Sequence, residues 1–204
     1  MAMQATHVRF AVALEDRLDV TNSHAYYSGA VYPDSRYITG VSREVTHEGS
    51  VPADPYEPGL TDFQKGWATH LQYDLLANPI TMQMFGYSIE QDIYQDAWIY
   101  PTAVKYIEDM KSARLLEEQM QHVFIDRAPE GEHLSALEKW YEALRNMYVT
   151  APSSVADYAA INTALPVAVV EKLHVAVEEL RSDVAMVQRI EGIFDKVLAQ
   201  YVQS

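Results

Sequence analysis

Thr61-Asp62-Phe63-Gln64-Lys65-Gly66-Trp67-Ala68-Thr69-His70-Leu71-Gln72-Tyr73-Asp74-Leu75-Leu76-Ala77-Asn78 is the stretch on which the reading of this chain turns. Thr61-Asp62-Phe63-Gln64 opens a helix. Phe63, Trp67, Leu71 and Leu75 then recur at steps of four and form an apolar stripe at helical period. Pro79 closes the helix, because proline lacks the N–H that an interior position must donate. The same helix carries His70 and Asp74 at i and i+4, on one face, with Cβ atoms about 5–6 Å apart. An imidazole nitrogen and a carboxylate oxygen so placed can share a metal ion. By itself the spacing is equally consistent with a solvated or hydrogen-bonded pair.

Helical patterning extends in both directions. Toward the N-terminus, Thr6 caps a helix to Leu18, with Val8, Ala11, Val12 and Leu14 on its apolar side. Thr21-Asn22-Ser23 caps a second helix from His24 to Val31, which Pro33 ends. Residues 34–60 hold Gly40, Gly49, Pro52, Pro55, Pro58 and Gly59 without periodicity. A loop of that length in a compact domain is often functional. Beyond Pro79, the chain reads as helix from Ile89 to about Phe124, kinked or broken at Pro101. A turn at Pro129–Glu132 and helices near 133–148, 154–160, 166–180 and 182–202 complete it. In the last, Val184, Val187, Ile190, Phe194, Val197 and Tyr201 form a stripe expected to face the core. No segment alternates long enough to require a strand. The expectation is an all-α, single multi-helix domain spanning 1–204, with 34–60 as a long ligand-bearing loop and 61–78 as the His-x-x-x-Asp helix.

Composition narrows the function. The 204 residues, 49% hydrophobic, are enough for one full core. Fifteen Lys and Arg against 29 Asp and Glu give a net charge of -14, which disfavours nucleic acid. No apolar run is long enough for a transmembrane segment. The start, Met1 to His7, lacks the basic and apolar parts of a signal peptide, so a cytoplasmic location is expected. There is no cysteine, so any metal must be held by nitrogen and oxygen. Nothing fixes an oligomeric state.

Three further residues join the His70–Asp74 pair as candidates. Asp34 directly follows Pro33, from where its carboxylate can turn inward. His47, in Thr46-His47, lies in the following loop. His7 sits in the first turn of the first helix beside Val8, Ala11 and Val12, facing the core edge; a buried histidine with one hydrogen bond is its commoner reading. Taken together, Gly29-x-x-x-Pro33-Asp34, Thr46-His47 and Gly66-x-x-x-His70-x-x-x-Asp74 resemble the zinc-dependent phospholipase C family across about Thr6 to Asn78. The resemblance implies a helical fold in which Asp34, His47, His70 and Asp74 hold one divalent ion, zinc by family precedent. It also implies that His7 joins through Asp74, which bridges toward a second ion.

Secreted members of that family add a later histidine and a His-x-x-x-Glu pair to their cluster. Here the histidines after Asp74 are His122, His133 and His174, none expected in the cluster, so one ion or two is expected rather than three. The resemblance then points to a metal-dependent phosphoesterase that acts on a small phosphoester through a metal-activated water. Asp34 would be the catalytic base, and Arg36 and Arg43 would bind phosphate in a bidentate fork. Each arginine could equally pair with Glu44 or Glu48. Two alternatives stand beside this. An HD-type phosphohydrolase also uses histidine and aspartate, but no histidine here is followed directly by aspartate. A non-enzymatic helical binding protein could retain the metal for structure.

Overall fold

Thr61 begins the central helix with a capping box: its hydroxyl accepts from the Gln64 N–H at 3.3 Å, and the Gln64 side chain accepts from the Thr61 N–H at 3.0 Å. In this computed structural model, described for residues 3–48, 52–87, 98–125, 128–129 and 131–203, that helix is the fifth of eleven. α1 (Gln4–Leu14) runs into a 3-10 turn at Glu15–Leu18, and α2 (Ser23–Val31) into another at Tyr32–Ser35. Then come α3 (Arg36–Thr39), α4 (Arg43–His47), α5 (Asp62–Gln83), α6 (Ile99–Ala113), α7 (Glu117–Gln121) and α8 (Leu134–Met147). After two 3-10 turns, α9 (Val167–Ser182), α10 (Val184–Glu191) and α11 (Ile193–Gln203) finish the chain. The fold is all-α, with no strand among the described residues. One cluster of buried apolar side chains runs from Met3 to Val197.

The tightest packing is between α2 and α5. A Cβ on Gly29 would lie 1.9 Å from the Phe63 carbonyl oxygen, and one on Gly66 would lie 1.9 Å from that of Tyr26. Only glycine lets the two backbones approach so closely. α1 packs against α2, α5 and α6 and is buried along most of its length. Its N-terminus is held by Asp109 of α6, whose Oδ1 accepts from the Thr6 N–H at 2.9 Å. Oδ2 of the same carboxylate accepts from Tyr148 Oη at 2.6 Å and Tyr158 Oη at 2.8 Å. A buried anion there offsets the unpaired N–H groups of a helix start. Thr6, expected as the cap, is instead inside α1, because Asp109 from a distant helix supplies the acceptor.

Other boundaries differ from expectation for local reasons. α5 continues through Pro79 to Gln83. Pro79 lies on the exposed side, where water can take the carbonyl it leaves unbonded. The buried face of α5 is not the Phe63–Leu75 stripe: Leu75 is 66% exposed, while Gly66, Thr69, His70, Tyr73, Ala77 and Thr81 are buried. The loop 34–60 is partly helical, since α3 and α4 lie within it. Pro101 sits in the first turn of α6, where its missing N–H costs nothing, and so makes no kink. The expected helical stretch 89–97 lies outside the described residues. The last helix is broken at Gly192 into α10 and α11.

Candidate metal centre

Four elements bring the five candidate residues together. α1 supplies His7, the 3-10 turn after α2 supplies Asp34, the end of α4 supplies His47, and α5 supplies His70 and Asp74. His7, His70 and Asp74 offer donor atoms within 4.8 Å of one another, and so do Asp34, His47 and His70. His70 belongs to both groups.

The glycine crossing sets the orientation of His70. With α2 and α5 this close, His70 Nδ1 lies 2.8 Å from the Ala30 carbonyl oxygen. A carbonyl can only accept, so Nδ1 carries the proton and Nε2 keeps its lone pair. His70 Nε2 is buried with no hydrogen-bond partner, 3.9 Å from Asp74 Oδ2. Asp74 Oδ1, the other carboxylate oxygen, lies 3.7 Å from His7 Nε2. Both ring nitrogens of His7 are buried and unpartnered, and its ring stacks on His70 with centroids 3.6 Å apart. His47 approaches edge-on, its centroid 5.3 Å from that of His70.

Outer atoms are held from behind. The Gln4 side chain donates to Asp34 Oδ2 at 3.1 Å, and Thr46 Oγ1 is hydrogen-bonded to His47 Nδ1 at 2.8 Å. Trp67 Nε1 donates to the Thr46 carbonyl at 2.7 Å, which ties α4 to α5. Such supporting bonds orient ligands toward a shared point.

The electrostatics keep the rings neutral. Burial, reinforced by the neighbouring His70 ring, pushes His7 well below the usual histidine range and His47 down to about 3. Burial takes His70 to about 4, against Asp74 and the Ala30 bond, which pull upward. Burial raises Asp34 to about 6, helped by the charge of Asp74. For Asp74 burial acts upward but is outweighed by Lys105, His7 and His70, which hold its carboxyl below the ordinary range. Neutral imidazoles and ionised carboxylates are the forms that ligate metals. Donors bound to one zinc ion at about 2.0–2.2 Å lie within about 4.4 Å of each other, so the 3.7 and 3.9 Å gaps are in reach. The residues present fit a divalent ion.

The remaining candidates sit elsewhere. Arg36 lies over the Tyr37 ring at 4.4 Å and donates to the Tyr37 hydroxyl at 2.6 Å. Arg43 is more than half exposed and pairs with Glu48 at 3.3 Å. His24 stacks on His122 at 4.5 Å near the surface, outside the five-residue cluster. His174 and Glu178, which do have a His-x-x-x-Glu spacing, are exposed on α9. Sequence reasoning missed Gln4, Thr46 as a support, Lys105 and Glu108. Gln4 had a signal, since it precedes His7 by one helical turn. Lys105 and Glu108 had none, being on a separate helix. Comparison with protein-family models, with curated proteins and with solved structures gives no match.

Proposed function

We propose that this chain is a metal-dependent phosphoric ester hydrolase whose centre resembles that of the zinc-dependent phospholipase C family. One ion would be held by Asp34, His47, His70 and Asp74, and His7 would meet the second oxygen of Asp74. The observation that carries the reading is the convergence of these side chains with His70 Nε2 and both His7 nitrogens buried and unpartnered. A bound zinc ion lowers the pKa of water to about 7 and polarises a phosphoryl oxygen. Around it, the chain's own part is positional. His70 is fixed through Ala30, His47 through Thr46, and Asp34 through Gln4. Asp34 is the base or water-orienting group, as the resemblance implies.

A purely structural metal is the second reading, favoured by the burial of Asp34 at 2% and His70 at 0%. The partial exposure of His47 and Asp74 favours a site that substrate can reach. The test begins with elemental analysis of purified protein, where His70→Ala is expected to abolish metal uptake. Phosphomonoesters and phosphodiesters are then assayed with Asp34→Asn as control. Metal uptake without any turnover supports the structural reading. Turnover untouched by Asp34→Asn overturns its assignment as base.

A further inference from the structure

Unlike His70, His47 and Asp34, His7 has no hydrogen bond behind its side chain: both ring nitrogens are buried and unpartnered. The ring is confined by contact alone, stacked on His70 at 3.6 Å and met edge-on by Tyr73 at 5.4 Å between centroids. Its place in the centre is therefore set by its backbone, in the first turn of α1. The same turn presents Gln4, three residues earlier on the same face, whose side chain donates to Asp34 Oδ2 at 3.1 Å. That turn has no local means of holding its own end. Met3 at the N-cap gives no side-chain acceptor, and the first turn contains no acidic residue.

What holds it comes from α6. Asp109 Oδ1 accepts from the Thr6 N–H at 2.9 Å, and Thr6 Oγ1 lies 3.4 Å from Ser112 Oγ, one turn further along α6. The second Asp109 oxygen accepts from Tyr148 Oη and Tyr158 Oη, so the carboxylate is fixed from both sides. Burial lifts Asp109 to about 6, against the pull of those donors, and it is ionised at neutral pH. An anion there grips the positive end of α1. Resting on the metal-centre reading, we propose that Asp109 is a positioning residue for that centre: through the first turn of α1 it sets where His7 and Gln4 meet the other groups. Its hydrogen bonds go to Thr6, Tyr148 and Tyr158 and to none of the five candidate ligands, so it acts through the helix.

The test measures zinc affinity of the full chain by competition with a chromophoric chelator. Asp109→Leu is expected to weaken it about tenfold or more. Asp109→Asn keeps an acceptor for the Thr6 N–H and should recover most of the loss. In a background that already carries His7→Ala and Gln4→Leu, Asp109→Leu should cost less than about twofold. An equal loss in both backgrounds overturns the proposal, because a merely structural role weakens both alike. Should Asp109→Leu fail to fold, Tyr148→Phe with Tyr158→Phe loosens the same carboxylate and enters the same comparison. A second readout needs no metal. In EDTA-treated protein with labelled histidine, the His7 ring protons are shifted by the face of His70 and can be followed by NMR. They should move toward their unstacked position in Asp109→Leu and stay in place in Asp109→Asn. Ring protons unmoved in Asp109→Leu overturn the proposal. A wild-type chain that takes up no zinc defeats the metal reading alone, and the ring shifts then decide whether Asp109 places His7.

Discussion

Gly66→Ala tests the packing that places His70. The new Cβ would lie 1.9 Å from the Tyr26 carbonyl oxygen and 2.9 Å from the Ala30 nitrogen, where ordinary contact begins near 3.4 Å. Both obstacles are backbone, so α2 and α5 must separate by roughly 1.5 Å at the crossing. The His70–Ala30 bond, now 2.8 Å, then stretches out of range. Overpacking costs about 1–3 kcal/mol, and orphaning a buried donor about 1–3 kcal/mol more. Alanine returns about 1 kcal/mol through helix propensity. The net loss is roughly 1–5 kcal/mol, set against the ~5–15 kcal/mol that stabilises a typical domain. For a chain of this size that lowers Tm by roughly 2–20 °C. Scanning calorimetry of metal-free protein reads it directly. Gly192→Ala is the control, because its nearest neighbours would be 3.6 Å away and its φ of -84° suits any residue. A Gly66→Ala protein that melts within about 2 °C of wild type would refute the close-crossing argument.

Two further outcomes follow from the site. Thr46→Val removes the hydroxyl that orients His47 and is expected to weaken zinc binding about 10–100-fold, with little change in metal-free stability; competition with a chromophoric chelator measures it. In EDTA-treated protein, the share of stability that rests on the histidines should fall as pH drops below about 6.5, because the unfolded chain protonates histidines that the folded chain keeps neutral. Their folded values are depressed, to about 4 for His70 and about 3 for His47, so this contribution is complete above 6.5 and is lost progressively down to those values. Buried carboxyls work in the opposite sense: Glu108, raised to about 7, and Asp34 and Asp109, each raised to about 6, take up protons in the folded state first and offset that loss between about 7 and 4. Urea midpoints of wild type and His47→Gln from pH 7.5 to 4.5 check the sign: the variant should lose less stability on acidification, and parallel profiles would contradict the buried neutral rings.

How much of this was legible depended on whether a feature was local. The helix class followed from periodicity, and Asn22, within the expected Thr21-Asn22-Ser23 cap, does cap α2 through the Ala25 N–H at 3.1 Å. Spacing on α5 identified His70 and Asp74 as neighbours. The stripe of four large side chains at steps of four did not say which face is buried, and Leu75 on it is 66% exposed. Gly66, Thr69, His70, Tyr73, Ala77 and Thr81 face inward instead, with Gly66 where α2 comes closest. Gly29 and Gly66 read only as motif positions, and a backbone–backbone contact 37 residues apart has no local trace. Asp109 capping α1 was invisible for the same reason, as was Lys105. The distance between Asp34 and His47 could not be read either, because α3 and α4 fold a stretch whose glycines and prolines suggested irregular loop.

The way the cluster is satisfied distinguishes between its possible roles. A polar network kept for stability closes on itself, each donor meeting an acceptor, because half-satisfied groups in a core are costly. Here the supporting bonds go to outer atoms: His70 Nδ1 to Ala30, His47 Nδ1 to Thr46, Asp34 Oδ2 to Gln4. The inner atoms face one another without hydrogen bonds, at 3.7 Å between His7 and Asp74 and 3.9 Å between His70 and Asp74. Protonating a ring to make a true ion pair is opposed by burial at both His7 and His70, and at His7 by the neighbouring histidines as well. Apolar side chains of similar volume would be at least as stable in those positions. The inner nitrogens and carboxylate oxygens are left as donors that converge within 4.8 Å in each of two groups. That is the pattern expected of the proposed metal centre, in which a divalent cation would take the inner donor atoms.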